Sequence, residues 1–173
     1  MKEFRLGKEK ELEEISLLYE KCKQDLLKKN IFQWGQWYNN YPNKEFIKIA
    51  LNNNELFVLT LSDRIIGSVI LNQDQSIEWN DIIWTSDSDK SLVIHAMIID
   101  PKMQGRGFGS KLLEYCEKHA IVQGFKYTRL DAFKKNITSN QLYNNKNYKN
   151  LGSVIFDKKP ENNKEYYCYE KSL

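Results

Sequence analysis

The stretch that decides the fold is Ile98-Ile-Asp-Pro-Lys-Met-Gln-Gly-Arg-Gly-Phe-Gly-Ser-Lys-Leu112. It joins an almost wholly apolar stretch, 92–99, to a pattern of apolar residues at helical spacing that starts near Gly107 and ends before Gly124. Glycines let the backbone approach a ligand closely, and the free N–H groups at a helix start attract anions. The stretch therefore predicts a buried strand, a turn that binds an anion, and a helix.

The spacing of the glycines separates three kinds of phosphate-binding turn. The dinucleotide pattern G-x-G-x-x-G fails, because Ser110 and Leu112 stand where its last glycine belongs. The P-loop pattern fails because Gly-Lys-Ser/Thr does not occur here. The pattern that fits is Gln/Arg-x-x-Gly-x-Gly, met by Gln104, Gly107 and Gly109. Taken alone, such glycines could also serve backbone geometry only.

Upstream of this stretch, the apolar pattern predicts a short strand at Phe4–Leu6 and an amphipathic helix that ends near Lys29. Asn43 is placed to cap a second helix. The runs 56–61 and 65–71 are apolar or β-branched and are separated by a short polar turn, which predicts a hairpin.

Downstream, the pattern predicts a strand over 127–133 and a closing hairpin made of 151–156 and 166–170. Thr138 with Gln141 has the form of a capping box and predicts the start of a short helix. Strands and helices thus alternate without a repeat or a change of composition, so we predict a mixed α/β fold in a single domain, 1–173.

Composition excludes several classes of protein. A net charge of +3, from 26 Lys and Arg against 23 Asp and Glu, is too weak for a dedicated nucleic-acid binder. The three cysteines lie far apart, which argues against a disulfide framework and favours a reducing compartment. With only two histidines, no metal-ligand spacing is present. We predict no metal and no nucleic-acid partner.

Localisation follows from the apolar runs. Charged residues follow Met1–Arg5, so no apolar region of a secretory signal is present there. The longest apolar runs fall short of the roughly 20 residues that span a bilayer. These features predict a cytoplasmic protein without a membrane partner.

The spacing at Gln104–Gly109, after a strand that ends near Pro101, resembles the signature of the GNAT superfamily of acetyltransferases. The chain is similar to small bacterial members also in 93–101 and 130–132, in Asn136, and in the later tyrosines at 143 and 148. The resemblance is clear over about 56–169. It implies a central mixed, mostly antiparallel sheet with a splayed strand pair, flanked by about four helices.

The resemblance further implies that acetyl-CoA is the acyl donor and that the turn holds its pyrophosphate. The acetyl group would pass to a primary amine by direct attack in a ternary complex. The positions that match the family's acetyl-CoA contacts are Met97, Ile98, Ile99, Gln104, Gly105, Arg106, Gly107, Phe108, Gly109, Ser110, Asn136 and Tyr143.

Two residues are candidates for catalysis. Tyr143 matches the family's tyrosine on a short helix and would protonate the departing thiolate; packing of its ring in the core is the alternative. His95 titrates near neutrality and could take the amine's proton, although a structural role is as plausible. Asn136 could equally serve as a helix cap.

The amine acceptor is expected at two aromatic segments, 32–41 and 79–84, with Glu78 or Asp81 attracting a cationic amine. The aromatic residues proposed to contact it are Trp34, Trp37, Tyr38, Trp79 and Trp84. Core packing is the alternative for each. The sequence leaves open whether the acceptor is a small amine, a polyamine, an antibiotic, a peptide or a protein. It also leaves open whether the protein is a monomer or homodimer, and whether it is a non-catalytic acyl-CoA-binding module.

Overall fold

A computed structural model describes residues 2–35 and 39–173. Contacts group these residues into two compact units. The first unit holds the residues up to Leu71 together with Ala96–Tyr115, and the second holds Asn72–His95 together with Cys116–Leu173. The interpretation of the whole chain as one domain stays a prediction.

The described residues form seven strands and four α-helices. The strands are β1 (Lys2–Leu6), β2 (Leu56–Leu61), β3 (Arg64–Asn72), β4 (Ser91–Ile99), β5 (Tyr127–Phe133), β6 (Lys149–Ile155) and β7 (Glu165–Ser172). The helices are α1 (Leu12–Lys28), α2 (Lys44–Asn52), α3 (Phe108–Val122) and α4 (Ile137–Asn145). The strands form one sheet in the order β1-β2-β3-β4-β5-β7-β6. Only the β4–β5 pair among the described registers is parallel, which confirms the predicted mixed, mostly antiparallel sheet.

The first unit is built around the apolar faces of α1 and α2. The predicted face of α1 is buried at Ile15, Leu18 and Tyr19, and its neighbours in the core come from α2, β2 and β3. The Asn43 side chain accepts a hydrogen bond from the Phe46 N–H at 2.9 Å, as predicted for the cap of α2. Burial of these side chains stabilises the unit by roughly 1.5–3 kcal/mol for each large one.

The hairpin of β2 and β3 has the predicted position and a two-residue turn. Ser62 and Asp63 have φ of 48° and 65°, the backbone of a type I′ turn, which matches the twist of the strands. In the first aromatic segment, residues 36–38 lie outside the described residues. The described part forms an isolated antiparallel bridge between Gly35 and Tyr41.

In the second unit, β5 pairs with β7 and β7 pairs with β6, both antiparallel, as the predicted closing hairpin requires. The register of β4 with β5 covers Ser91–Val93 and Tyr127–Arg129, the first three residues of each strand. Such a short register is what a splayed strand pair gives. The polar segment 72–90 contains two 3₁₀ turns, Ile77–Asp81 and Ser88–Lys90.

Two predicted helix ends differ from the structure. The capping box at Thr138 is wrong, because α4 begins at Ile137 and Asn136 is its cap, accepting from the Ser139 N–H at 3.2 Å. Helix α3 begins at Phe108 rather than Gly107, because Gly107 has φ of 79°, outside the helical region. The other end of α3 is as predicted: Gly124 has φ of 90°, and the Phe125 N–H bonds the Ala120 carbonyl at 3.0 Å. None of the described helices combines the length and apolarity needed to cross a membrane.

Candidate active site

The turn after β4 is fixed at its start by Asp100, which is 3% exposed. Its carboxylate accepts from the Lys102 N–H at 2.9 Å and from the Arg64 guanidinium at 2.7 Å. Its own N–H bonds the Ile66 carbonyl at 2.8 Å. The end of β4 is therefore held to β3 before the glycines begin.

Gln104 ties the turn to its surroundings through its side chain. The side-chain amide donates to the Ile99 carbonyl at 3.2 Å, and the side-chain oxygen accepts from Lys29 of α1 at 3.2 Å. Both polar groups of the side chain are thus engaged with protein. As a cofactor-binding residue, Gln104 would act by shaping the backbone of the turn.

Two glycines of the turn before α3 have left-handed backbone with no atom close to the position of a Cβ. Gly105 and Gly107 have φ of 71° and 79°, and a Cβ added to either would meet no atom within 4 Å. The Lys111 N–H donates to the Gly107 carbonyl at 3.1 Å. The backbone N–H groups before Lys111 therefore come too early in α3 to find an acceptor within the helix. Left-handed backbone, open space and free helix N–H groups together suit a pyrophosphate.

Two cationic side chains lie near the ring of Phe108, the first residue of α3. The Arg106 guanidinium lies 6.0 Å from the centroid of the Phe108 ring, and the Lys2 ammonium lies 5.1 Å from it. Phe108 is 7% exposed, so its ring supports the two cations and only its backbone is available to a cofactor. Sequence reasoning missed Lys2, because it comes from β1 at the far end of the chain and only the pairing of β1 into the sheet brings it here.

The last residues of β4 follow a break in the strand's regularity. Ala96 has φ of 47°, in the left-handed region, which interrupts the extended backbone of β4 and costs roughly 1–2 kcal/mol for a residue with a Cβ. Its carbonyl accepts from the hydroxyl of the buried Tyr19 at 2.8 Å. Ile98 and Ile99 are buried, whereas Met97 is part-exposed. Contact of this backbone with the pantetheine arm stays a prediction.

In the second unit, Tyr143 of α4 packs its ring against Tyr148 and Tyr169, with centroids 5.9 Å and 5.6 Å apart. Burial, with the Asp131 carboxylate adding to it, raises the pKa of Tyr143, so the phenol keeps its proton through the neutral range. A raised pKa makes the phenol a weaker acid than a free tyrosine, so its acidity matches that of a thiol less well than expected. Tyr143 can still donate a hydrogen bond, because that does not require its pKa to match the pKa of a thiol.

His95 lies on β4 at the edge of the second unit. Burial lowers the pKa of His95, against the opposing effects of the Asp74 carboxylate and backbone, so the imidazole is neutral at pH 7. Its Nε2 is buried and makes no hydrogen bond to any described residue. A neutral imidazole with one unoccupied nitrogen is the state that a general base requires.

The aromatic residues expected at the acceptor are only partly brought together. The rings of Trp79 and Trp84 are 5.0 Å apart in the second unit. Trp34 belongs to the first unit, where its ring meets that of Tyr41 at 6.4 Å. Tyr38 and Trp37 lie outside the described residues. Trp79 is 3% exposed, so its ring is packed in the interior, and it also lies beside polar groups.

A buried ion pair, missed by sequence reasoning, contacts the polar segment 72–90. Arg129 of β5 and Glu170 of β7 are joined at 3.0 Å, with side chains 2% and 3% exposed. The guanidinium also donates to the Gln75 side chain at 2.7 Å and stacks on the Trp84 ring, 4.3 Å from its centroid. Glu170 accepts from the backbone N–H of Thr85 at 3.1 Å. Neither charge stands out in the sequence, because both occur in strands rich in other polar residues.

This pair lies beside a cavity of about 510 Å³ within the second unit. Its walls include the two tryptophans and several uncharged polar side chains, with Arg129 as the cation. The polar walls come from Gln75, Ser76, Asn80, Ser86 and Ser88. Among residues 2–35 and 39–173, no three His, Cys, Asp or Glu side chains are grouped as metal ligands.

Known proteins share both the sequence pattern and the fold. The model of the acetyltransferase (GNAT) family matches residues 16–148. A GNAT-family acetyltransferase of Streptococcus agalactiae is 22% identical, with 99% of this chain and 95% of that chain covered and a TM-score of 0.81. One from Listeria monocytogenes is 18% identical, with coverages of 99% and 95% and a TM-score of 0.77. yncA of Salmonella typhimurium, solved with its cofactor acetyl-CoA, is 12% identical, with coverages of 99% and 94% and a TM-score of 0.73. No curated protein sequence matches significantly.

At these identities the solved structures establish the fold, and they agree with the mixed sheet and the strand–turn–helix described above. The family model establishes more, because it spans most of the chain and includes β4, the glycine turn and α4. By this match, the chain belongs to the GNAT family of acetyltransferases.

Proposed function

We propose that this chain is an acetyl-CoA-dependent N-acetyltransferase, in which a primary amine attacks the thioester directly in a ternary complex. The observation that carries the proposal is the left-handed, uncrowded backbone of Gly105 and Gly107 directly before the first N–H groups of α3. Membership of the GNAT family and the fold shared with yncA, whose structure contains acetyl-CoA, support the same donor.

Acetyl-CoA supplies an activated acetyl group as its thioester. The backbone of Gly105–Ser110 binds the pyrophosphate, and Arg106 and Lys2 add positive charge beside it. The backbone of Met97–Ile99 orients the pantetheine arm. Asn136 fixes the start of α4 as its cap. We regard this as its main role, since its side-chain oxygen is already engaged.

Proton transfer is assigned to two residues of the second unit. His95 accepts the proton of the attacking amine, directly or through water, because its Nε2 is unoccupied and its low pKa keeps it neutral. Tyr143 donates a hydrogen bond to the departing sulfur, because it remains protonated at neutral pH. We place the reaction in the cytoplasm, in agreement with the three free, buried cysteines.

The experiment is a thiol-release assay with acetyl-CoA and a panel of amines, comparing wild type with Tyr143→Phe. We expect the kcat of the variant to fall by about a hundredfold or more, while its affinity for acetyl-CoA changes little. Tyr148→Phe is the matched control, because that tyrosine is equally buried and its hydroxyl bonds Thr128 at 2.9 Å. An unchanged kcat in Tyr143→Phe would remove its role.

A second function, a non-catalytic acyl-CoA-binding module, is favoured by one observation: the Tyr143 ring is packed between two other tyrosines as a core residue would be. Such a module would bind acetyl-CoA in calorimetry and release no thiol with any amine. Turnover with even one amine excludes it.

A further inference from the structure

A lysine ammonium lies against two aromatic rings in the second unit. Lys159, in the connection between β6 and β7, places its Nζ 3.8 Å from the centroid of the Tyr166 ring and 4.9 Å from that of Phe156. The same Nζ donates to the Tyr166 hydroxyl at 2.6 Å. Ring faces on two sides and one oxygen acceptor are the groups with which proteins bind alkylammonium ions.

Two carboxylates of the second unit act on the Lys159 ammonium. Asp131 of β5 and Glu78 both attract the Lys159 ammonium electrostatically. The Asp131 carboxylate is held in place by the indole N–H of Trp79, which donates to it at 3.1 Å. Asp131 is part-buried, and desolvation raises its pKa. The Lys159 ammonium acts in the opposite direction and favours the ionised carboxylate.

Burial opposes the charge of Lys159. Loss of hydration lowers the pKa of this ammonium to about 8, although two carboxylates act in the other direction. Its neighbour Lys158 is exposed. The lysine therefore holds its charge at a cost, and it lies on the irregular segment between β6 and β7 rather than in a strand.

We propose that the pocket formed by Asp131, Glu78, Phe156 and Tyr166 is the ammonium-binding subsite of the acceptor, and that Lys159 fills it when no acceptor is bound. The occupant identifies the ligand chemistry: an ammonium on a linear chain of methylene groups, such as a polyamine or a lysine side chain carries. This inference rests on the proposed N-acetyltransferase function, for which it names the acceptor class.

Trp79 connects the subsite to the neighbouring cavity. It holds Asp131 through its indole N–H and also forms part of the wall of the 510 Å³ cavity. The uncharged polar side chains of that cavity suit the remainder of an acceptor, whose ammonium would replace that of Lys159. The subsite and the cavity thus share one residue and belong to one unit.

The test is binding of 1,4-diaminobutane to the full chain, measured by calorimetry, in wild type and in Lys159→Ala. We expect the variant to bind this diamine roughly tenfold more tightly, because the internal competitor is gone. Lys158→Ala is the matched control and should bind as wild type does. Adding Asp131→Asn to Lys159→Ala should abolish the gain.

1-Butanol serves as the uncharged control probe. Equal gains for 1-butanol and the diamine in Lys159→Ala would mean that the substitution merely opened a cavity, and would overturn the proposal, as would no gain for the diamine. Lys159→Met provides a second variant of similar volume without charge, and it should also bind the diamine more tightly than wild type. The same measurement with Nα-acetyl-lysine amide distinguishes the two kinds of acceptor. A larger gain in affinity for this lysine derivative indicates a peptide lysine, and a larger gain for the diamine indicates a polyamine.

Binding and turnover give separate readings. If the diamine gain is present but no amine is acetylated, the subsite stands and the proposed reaction fails. If amines are acetylated but Lys159→Ala neither tightens diamine binding nor lowers the KM for a diamine, the reaction stands and the subsite fails.

Discussion

The glycine turn of the first unit and the segment Asn72–Lys90 of the second are both irregular, but they are held in different ways. The turn is set by backbone conformation, with Gly105 and Gly107 in the left-handed region. The segment is set by side chains, above all Arg129 and Glu170. A site made from backbone groups leaves a spacing pattern in the sequence, whereas a site held by distant side chains does not. The two regions should therefore respond differently to substitution.

The largest expected effect is on the side-chain-held region. Arg129→Met removes the guanidinium and leaves the Glu170 carboxylate buried without its cation, so we expect the free energy of unfolding to fall by about 3–5 kcal/mol. Urea unfolding of wild type and variant measures this difference in free energy.

Glu170→Gln leaves the buried Arg129 guanidinium without its carboxylate, but an amide can keep part of the hydrogen bonding to Thr85 and Ser86, so we expect a smaller loss than for Arg129→Met. A loss below about 1 kcal/mol for Arg129→Met would show that this segment does not depend on the ion pair.

The backbone-built region should lose binding more than stability. Gly107→Ala adds a methyl group to the turn that precedes α3, and we expect acetyl-CoA affinity to fall by about tenfold or more, or at least about 1.4 kcal/mol. Separately, the strain of an alanine at a φ of 79° should lower the free energy of unfolding by about 1–2 kcal/mol.

Gly124→Ala controls for the strain. Gly124 has φ of 90°, and a Cβ there would also meet nothing within 4 Å, but it lies beyond the other end of α3. It should lose similar stability and no affinity in calorimetry. Equal losses of affinity in the two variants would contradict the assignment of the turn.

The smallest expected effect is a pH dependence from His95. Because burial lowers its pKa in the folded state, the unfolded chain takes up the proton first, so the stabilising contribution is complete above the unfolded pKa and is lost as pH falls. His95 should account for about 0.7 kcal/mol or less of stability lost between pH 7 and pH 6. His95→Gln should reduce the slope of unfolding free energy against pH by that amount. Burial also lowers the pKa of His119. His119 is present in both wild type and His95→Gln, so the difference in slope between the two proteins reports His95 alone.

Much of the fold was predictable, because hydrophobic periodicity and turn chemistry act locally. The hairpin at Ser62–Asp63, the cap at Asn43 and the bounds of β5 follow from short windows of sequence. The start of α4 was misassigned because Thr138 and Asn136 both suit a cap, and only the backbone decides between them.

The candidate site was predictable only where backbone forms it. Lys2 reaches Phe108, and Arg129 reaches Glu170, through strand pairing between distant parts of the chain. The Lys159 pocket likewise needs β5, β7 and their connections to be assembled first. No local pattern marks such residues, because their chemistry appears only with tertiary contacts.

The left-handed backbone of Ala96 has a further consequence for β4. In a regular strand, inward and outward positions alternate without interruption, so His95, Met97 and Ile99 would be assigned to one side. The left-handed backbone of Ala96 interrupts the extended conformation on which this alternation depends. The faces to which His95 and Met97 point therefore do not follow from simple alternation, and one strand can present side chains for two separate tasks on either side of Ala96.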